Sequence, residues 1–272
     1  YSPTDRLQSS DPRESSFRML EEVNMYGGFE GIEENLNERD PSQFVTILSG
    51  DLENDDSTTG DISDNSYHVV QFKNLFGSDR TIIDGFVITK GNADNEPHGG
   101  GIYLENVNTD FENRPIIDQC KIIGNYADYG GGIYISGNAA ASINRCIITR
   151  NIANFNAGAI FAMGETTIAN CLINGNSSAG ESGALQFPFK GLVSIRSSTI
   201  VQNIANVFGG LGSSSATVKF YNSILWGNRD VNGGNQQFNA RDLDISFRYT
   251  CVEYIGDDLN GDGNTRLNPR FV

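Results

Sequence analysis

Long apolar runs are missing from this 272-residue chain. No stretch of about 18 uninterrupted apolar residues occurs, which excludes a membrane-spanning helix. Basic residues are scarce: 19 Lys and Arg stand against 34 Asp and Glu, for a net charge of −15. That balance argues against nucleic acid as a partner, because binding nucleic acid needs clustered Lys and Arg. It also works against steering a polyanionic polysaccharide into a cleft. It fits solubility in a salty or extracellular setting, as does a mean hydropathy of −0.34. Histidine occurs only as His68 and His98, too few and too far apart in sequence to suggest a metal site. The chain opens at Tyr1 without a signal-peptide pattern and stops abruptly at Pro269-Arg270-Phe271-Val272. The expectation is a piece of a longer or processed polypeptide carrying further domains.

Only four cysteines are present, and three of them, Cys120, Cys146 and Cys171, are 26 and 25 residues apart. Each lies five residues before an asparagine that recurs with the same period. Stacked parallel strands hold such side chains about 4.8 Å apart and side by side, whereas a disulfide wants Cβ atoms nearer 3.8 Å and converging. An inward ladder of free thiols behaving as small hydrophobes is expected.

What the chain does have is a repeat. Asparagines fall at Asn125, Asn151, Asn176, Asn203 and Asn228, in steps of 26, 25, 27 and 25 residues. Each copy holds two short alternating segments, then the asparagine, then a Gly-rich stretch and an aliphatic segment such as Gly132-Ile133-Tyr134-Ile135 or Ala159-Ile160-Phe161. A period near 25 with strand-like alternation describes one coil of a solenoid. It is too short for a propeller blade, lacks the period of a helical repeat and lacks the Leu-x-x-Leu-x-Leu pattern of leucine-rich repeats. The reading is an all-β, single-stranded right-handed parallel β-helix with three strands and three bends per coil. Irregular coils and loops occupy 1–80, and regular coils with a C-terminal Asp/Asn/Gly loop occupy 81–272, as one continuous domain. A short helix is expected around residues 17–23, and roughly nine coils would stand on the order of 40 Å tall. The asparagines are expected at bends, tolerating left-handed backbone while their amides bond coil to coil.

The front of the chain carries more specific phrases: Tyr26-Gly27-Gly28-Phe29-Glu30-Gly31, Arg39-Asp40, Thr46-Ile47-Leu48-Ser49-Gly50-Asp51 and Asn65-Ser66-Tyr67-His68-Val69-Val70. They resemble the front of secreted bacterial right-handed β-helix proteins of the "choice-of-anchor" type. Ala157-Gly158-Ala159-Ile160 is similar to the Gly-Gly-Ala-Ile motif of polymorphic outer-membrane-protein repeats. The resemblance implies a parallel β-helix on an exported or surface-attached protein. Such proteins are often called adhesins, and the same fold hosts polysaccharide lyases and hydrolases. The cap and sorting region expected of such proteins are not in this sequence.

Several groups of residues could carry chemistry. Asp258-Leu259-Asn260-Gly261-Asp262-Gly263-Asn264 matches the first half of a calcium loop, with oxygens at alternate positions from Asp258, Asn260, Asp262 and Asn264. The acidic residue that would close an EF-hand is replaced by Pro269, so the stretch reads either as a calcium site completed from elsewhere or as a polar turn. Asp51-Leu52-Glu53-Asn54-Asp55-Asp56 is a second, less regular oxygen-rich stretch. Asp84 and Asp118 are equivalent on neighbouring coils, the minimum for a glycosidase pair, but later coils have Asn144, Asn170 and Arg196 there. Lys90, Lys121, Arg145, Arg150 and Arg196 are single candidates for a lyase base. Tyr129, Phe155 and Phe208 recur just before the Gly corner and read either as rings that stack on sugars or as packing across the bend. No aligned threonine ladder suggests an ice-binding face. The leading expectation is a secreted or cell-surface module for adhesion, display or glycan recognition without catalysis. A polysaccharide-degrading enzyme, lyase before hydrolase, comes second, and a structural stalk or filament subunit third.

Overall fold

The computed structural model describes residues 1–3, 10–235, 237–239, 244–253 and 261–271. They form an all-β parallel solenoid of four sheets. One coil shows the plan. Ala141–Asn144 belongs to the first sheet, Ile147–Thr149 to the second, Ile152–Asn156 to the third and Ile160–Ala162 to the fourth. The sheets contain eight, eight, six and seven strands respectively. The regular coils therefore have four strands, not three, and the longest sheets record eight coils among the described residues, where roughly nine were expected. The additional strand is the short one after each asparagine, such as Tyr126–Tyr129. Its inward side chains are Ala93, Ala127, Ala153, Ser178 and Ala205, small enough to let this wall lie close to its neighbours.

In the regular coils the register advances by 25 to 27 residues, as in Lys121 beside Ile147, Ile147 beside Leu172 and Leu172 beside Thr199. The first coils are longer: Ile47 pairs with Val87 and Val87 with Lys121. Inside, one core runs the length of the stack. Ile83, Ile117, Ile143, Ile168, Ile195, Phe220 and Phe247 form one column of it, and Ile88, Ile122, Ile148, Ile173, Ile200 and Leu225 another. Each fully buried Ile or Leu contributes roughly 1.5–3 kcal/mol of transfer free energy.

The asparagines bond as the sequence predicts but turn differently. Each Nδ2 donates to the next Oδ1 along the stack: Asn125 to Asn151 at 3.0 Å, Asn151 to Asn176 at 3.0 Å, Asn176 to Asn203 at 2.9 Å and Asn203 to Asn228 at 2.9 Å. From Asn151 on, each Oδ1 also accepts the preceding asparagine's backbone N–H, Asn125 Oδ1 accepts that of Gly91, and each Nδ2 reaches a carbonyl of the preceding coil, such as Ile122 for Asn151. Gln237 closes the ladder, accepting from Asn228 at 2.7 Å. The left-handed backbone belongs not to these asparagines but to the residue before each, Gly124, Arg150, Gly175, Gln202 and Gly227, and to Lys90 at the equivalent place before Gly91. That residue takes the strained φ, at roughly 1–2 kcal/mol for a non-glycine, while the asparagine stays buried to satisfy the bend.

A second ladder lies at the preceding corner. Cys120, Cys146 and Cys171 are free and buried, as expected. Cys171 Sγ accepts the Cys146 N–H at 3.4 Å, Ser198 Oγ the Cys171 N–H at 3.1 Å and Ser223 Oγ the Ser198 N–H at 3.2 Å. Burial pushes the Cys120 thiol up to about 12, so it stays protonated.

The front phrases fold the first coils. Gly28 has φ +91°, and a Cβ there would lie 2.6 Å from the Pro41 nitrogen. Arg39 donates to the Gly27 carbonyl at 3.1 Å and pairs with Asp84 at 2.5 Å. The expected helix around 17–23 is instead the strand Phe17–Met19, paired with Val70, Gln71 and Phe72. Sheet pairing outweighs a weak local periodicity, and only Met19 of the strand is buried. Among the described residues no helix is long and apolar enough to cross a membrane.

Candidate functional site

The crook between the third and fourth sheets gathers aromatic rings on the outside of the solenoid. Tyr103, Tyr134 and Phe161 are in register on neighbouring strands of the fourth sheet. Their strand neighbours, such as Ile133 and Ile135, point into the core, so period 2 sends these rings outward. Tyr103 and Tyr134 stack at 5.7 Å, Tyr134 and Phe161 at 5.5 Å, and His68 stacks on Tyr103 at 4.7 Å. The third sheet supplies a second row: His98 stacks on Tyr129 at 5.8 Å, and Tyr129 meets Phe155 at 5.5 Å. The rows mesh through His98 against Tyr134 at 4.2 Å and Tyr129 edge-on to Phe161 at 5.3 Å.

Glycine makes the crook tight enough. At Gly130, φ is +64°, and an added Cβ would meet the Ile133 carbonyl at 2.3 Å and Phe161 Cβ at 3.1 Å. The inner rings are consequently covered, Tyr134 to 5 % and Phe161 to 7 % exposure, while Phe155 at the rim is 47 % exposed. Burial pushes the Tyr134 hydroxyl up to about 12 and raises Tyr103 too, so both remain protonated donors at neutral pH.

At the N-terminal end the crook opens into a cavity of about 360 Å³. Tyr67, His68, His98 and Tyr103 supply its rings, Glu14 and Glu96 its acids, and Arg18, Lys73 and Gln71 further polar groups. His68 is buried but for its edge on the cavity, and its Nδ1–H donates to the Gly99 carbonyl at 3.0 Å. Burial lowers its pKa to about 4, and burial likewise lowers that of His98. Both imidazoles are neutral at pH 7. A larger cleft of about 630 Å³ lies by Glu22, Arg80 and Glu112, but Phe111 is its single ring.

Of the three rings singled out from the sequence, the structure brings Tyr129 and Phe155 together. Phe208 lies two coils further on, bridged through its backbone to Ser182, and joins no ring pair among the described residues. Sequence reasoning missed His68, Tyr103, Tyr134 and Phe161. A usable signal existed: in Gly101-Ile102-Tyr103, Gly132-Ile133-Tyr134 and Ala159-Ile160-Phe161 the ring always stands two residues after the corner.

Most of the candidate catalytic groups are engaged elsewhere, while Lys121 and Arg150 are exposed on the surface. Asp84 and Asp118 are neighbours in the first sheet, but Asp84 pairs with Arg39 at 2.5 Å and Asp118 accepts from Nε and Nη2 of Arg145, at 2.9 and 2.5 Å. Arg196 lies over the Tyr221 ring, and Lys90 pairs with Asp51 at 2.5 Å. In the C-terminal half loop, Asp258 and Asn260 lie outside the described residues. Asp262 is exposed and 3.6 Å from Arg248. Asn264 spends its amide on the fold, accepting from the Thr250 N–H at 3.1 Å and donating to the Phe247 carbonyl at 2.9 Å. The other oxygen-rich stretch folds so that Asp51, Asp55 and Asp56 meet Asp64.

No protein-family model, curated protein or solved structure compared with the chain matches it.

Proposed function

We propose that this solenoid is an extracellular or cell-surface recognition module that binds a glycan chain along the aromatic crook, without catalysis. The observation that carries the reading is the pair of ring rows following the coil axis, ending in a cavity with mixed acids, bases and amide. Rings on neighbouring coils repeat at 5.5 to 5.8 Å, comparable to the length of a pyranose ring. The inner rings Tyr134 and Phe161 are covered and back the row, whereas the exposed Phe155 and the half-buried Tyr129 and Tyr103 offer apolar surface that suits the C–H face of a sugar, and the cavity's polar groups suit its hydroxyls. The Arg39 and Arg145 pairings of Asp84 and Asp118 favour structure over acid–base work there. Export and surface attachment draw on the resemblance of the front phrases and on the acidic composition.

The second reading, a polysaccharide-degrading enzyme, uses the same cavity, since neutral His98 lines it with Glu14 and Glu96. One experiment separates the two. A panel of plant and marine polysaccharides is screened for binding, and each ligand found is followed for unsaturated products and reducing ends. The reading expects binding weakened about tenfold or more by Phe155→Ala or Tyr129→Ala, and no turnover. Turnover abolished by one substitution at His98 or Glu96 would establish the enzyme instead, and no saccharide binding at all would end both.

A further inference from the structure

We propose that Asp51, Asp55, Asp56 and Asp64 form a calcium site that fastens the 50–65 loop to the first coils. One oxygen from each of the four carboxylates lies within 4.8 Å of the others. Two ligands on one ion cannot be further apart than twice the metal–oxygen distance. For calcium, at 2.3–2.6 Å, that limit is about 5 Å; for magnesium, at 2.0–2.1 Å, it is about 4 Å. A separation of at most 4.8 Å lies within the calcium limit, and magnesium, which dehydrates reluctantly and usually keeps several waters, suits a cage of four carboxylates less. The all-oxygen donor set is that of a hard cation, with no Cys or His as zinc would favour.

The division of labour between the oxygens points to the ion. Asp55 Oδ2 accepts from Thr59 Oγ1 at 2.9 Å, Asp64 Oδ2 from the Glu53 N–H at 2.9 Å, and Asp56 Oδ2 from Asn65 Nδ2 at 3.2 Å. The other oxygen of each, Oδ1 of Asp55, Asp56 and Asp64, is buried and has no hydrogen-bond partner. Asn65 is not one of the four acids but stands against them. It is 2 % exposed, its amide is turned into the cluster against Asp56, and its own Oδ1 is also unpartnered. Buried carboxylate oxygens without partners are costly. Lys90 offsets one charge, through Asp51 Oδ2 at 2.5 Å and Asp56 Oδ2 at 3.5 Å. It touches none of the three orphaned oxygens, and four carboxylates against one ammonium leave room for a divalent cation.

The site would act on the fold. Asp51 directly follows Gly50, whose N–H donates to the Thr89 carbonyl at 2.9 Å. At the far end of the loop Asn92 Nδ2 donates to the Ile62 carbonyl at 2.9 Å. An ion held between Asp51 and Asp64 would close the loop at its base, beside the start of the asparagine ladder.

The test is calorimetric titration of the whole, EDTA-stripped chain with calcium chloride and, separately, magnesium chloride, with melting temperature as a second readout. The expected result is one calcium per chain, a raised melting temperature reversed by EDTA, and much weaker binding of magnesium. Asp64→Asn and Asp55→Asn should weaken calcium at least about tenfold, whereas Asp262→Asn in the C-terminal half loop should not change it. The wild-type titration decides even if a variant fails to fold. No calcium heat and no shift in melting temperature at millimolar calcium would overturn the site, as would binding lost in Asp262→Asn and retained in Asp64→Asn.

Discussion

The regular coils between Lys121 and Asp230 and the longer coils before residue 108 share one core but differ in how their buried polar groups are satisfied. In the regular coils two side-chain ladders, one of asparagines and one of thiols and hydroxyls, use up the donors and acceptors at two corners. Of the nine buried side-chain atoms without a partner among the described residues, seven belong to Ser16, Asp55, Asp56, Asp64, Asn65, Ser66 and Asn92, all in the first coils. The same region contains both histidines and the polar cavity. Repetition satisfies a polar group by placing its own copy next to it. Where the repeat breaks, polar groups are left over, and these are the groups able to meet a ligand.

This contrast can be broken at its strong end first. Asn151→Ala would take away the acceptor of the buried Asn125 N–H and the donor to the Ile122 carbonyl and Asn176 Oδ1. The expected loss is about 2–4 kcal/mol in a urea titration; a loss under about 0.5 kcal/mol would mean the ladder is incidental. In the first coils, His68 gives a comparable effect through pH. Its pKa is about 4 folded against about 6.5 unfolded, so the unfolded chain binds the extra proton. Stability is fully present above pH 6.5 and falls as pH drops toward 4, by on the order of 3 kcal/mol. His68→Gln should flatten much of that slope, although His98, also lowered, keeps a share. An unchanged profile would remove His68 as its origin.

Smaller effects sharpen the comparison. Phe155 is half exposed at the rim, so Phe155→Ala should cost less than about 1 kcal/mol of stability while weakening glycan binding. A thermal melt beside a binding titration reads both. Cys171→Ser should be the mildest, within about 1 kcal/mol by denaturant titration, because Ser198 and Ser223 already do the same work one and two coils on.

The sequence displays what repeats. The period gives the parallel coils, the asparagine ladder and the buried thiols, because each recurs at a fixed offset. It hides the third sheet, whose strands bury a single small residue such as Ala127 or Ala153 and so show no alternation. It hides the left-handed residue of the second corner, which varies among Lys90, Gly124, Arg150 and Gln202. Arg and Gln tolerate the strain because the next asparagine pins the bend. The site was half legible. Tyr129 and Phe155 stand at matching places before the corner, but Tyr103 and His68 join them only through register across strands of unequal separation. Asp64 joins Asp51 only because the loop between them closes on itself.

Ring-selective NMR of a Tyr/Phe-labelled sample, titrated with a saccharide found by screening, tests most directly whether ligand chemistry lies in the crook beside the first coils. The account predicts shifts at Tyr103, Tyr129 and Phe155, with Tyr221 and the exposed Phe189 of the later coils unmoved. Shifts confined to Tyr221 and Phe189, with the crook silent, would contradict it.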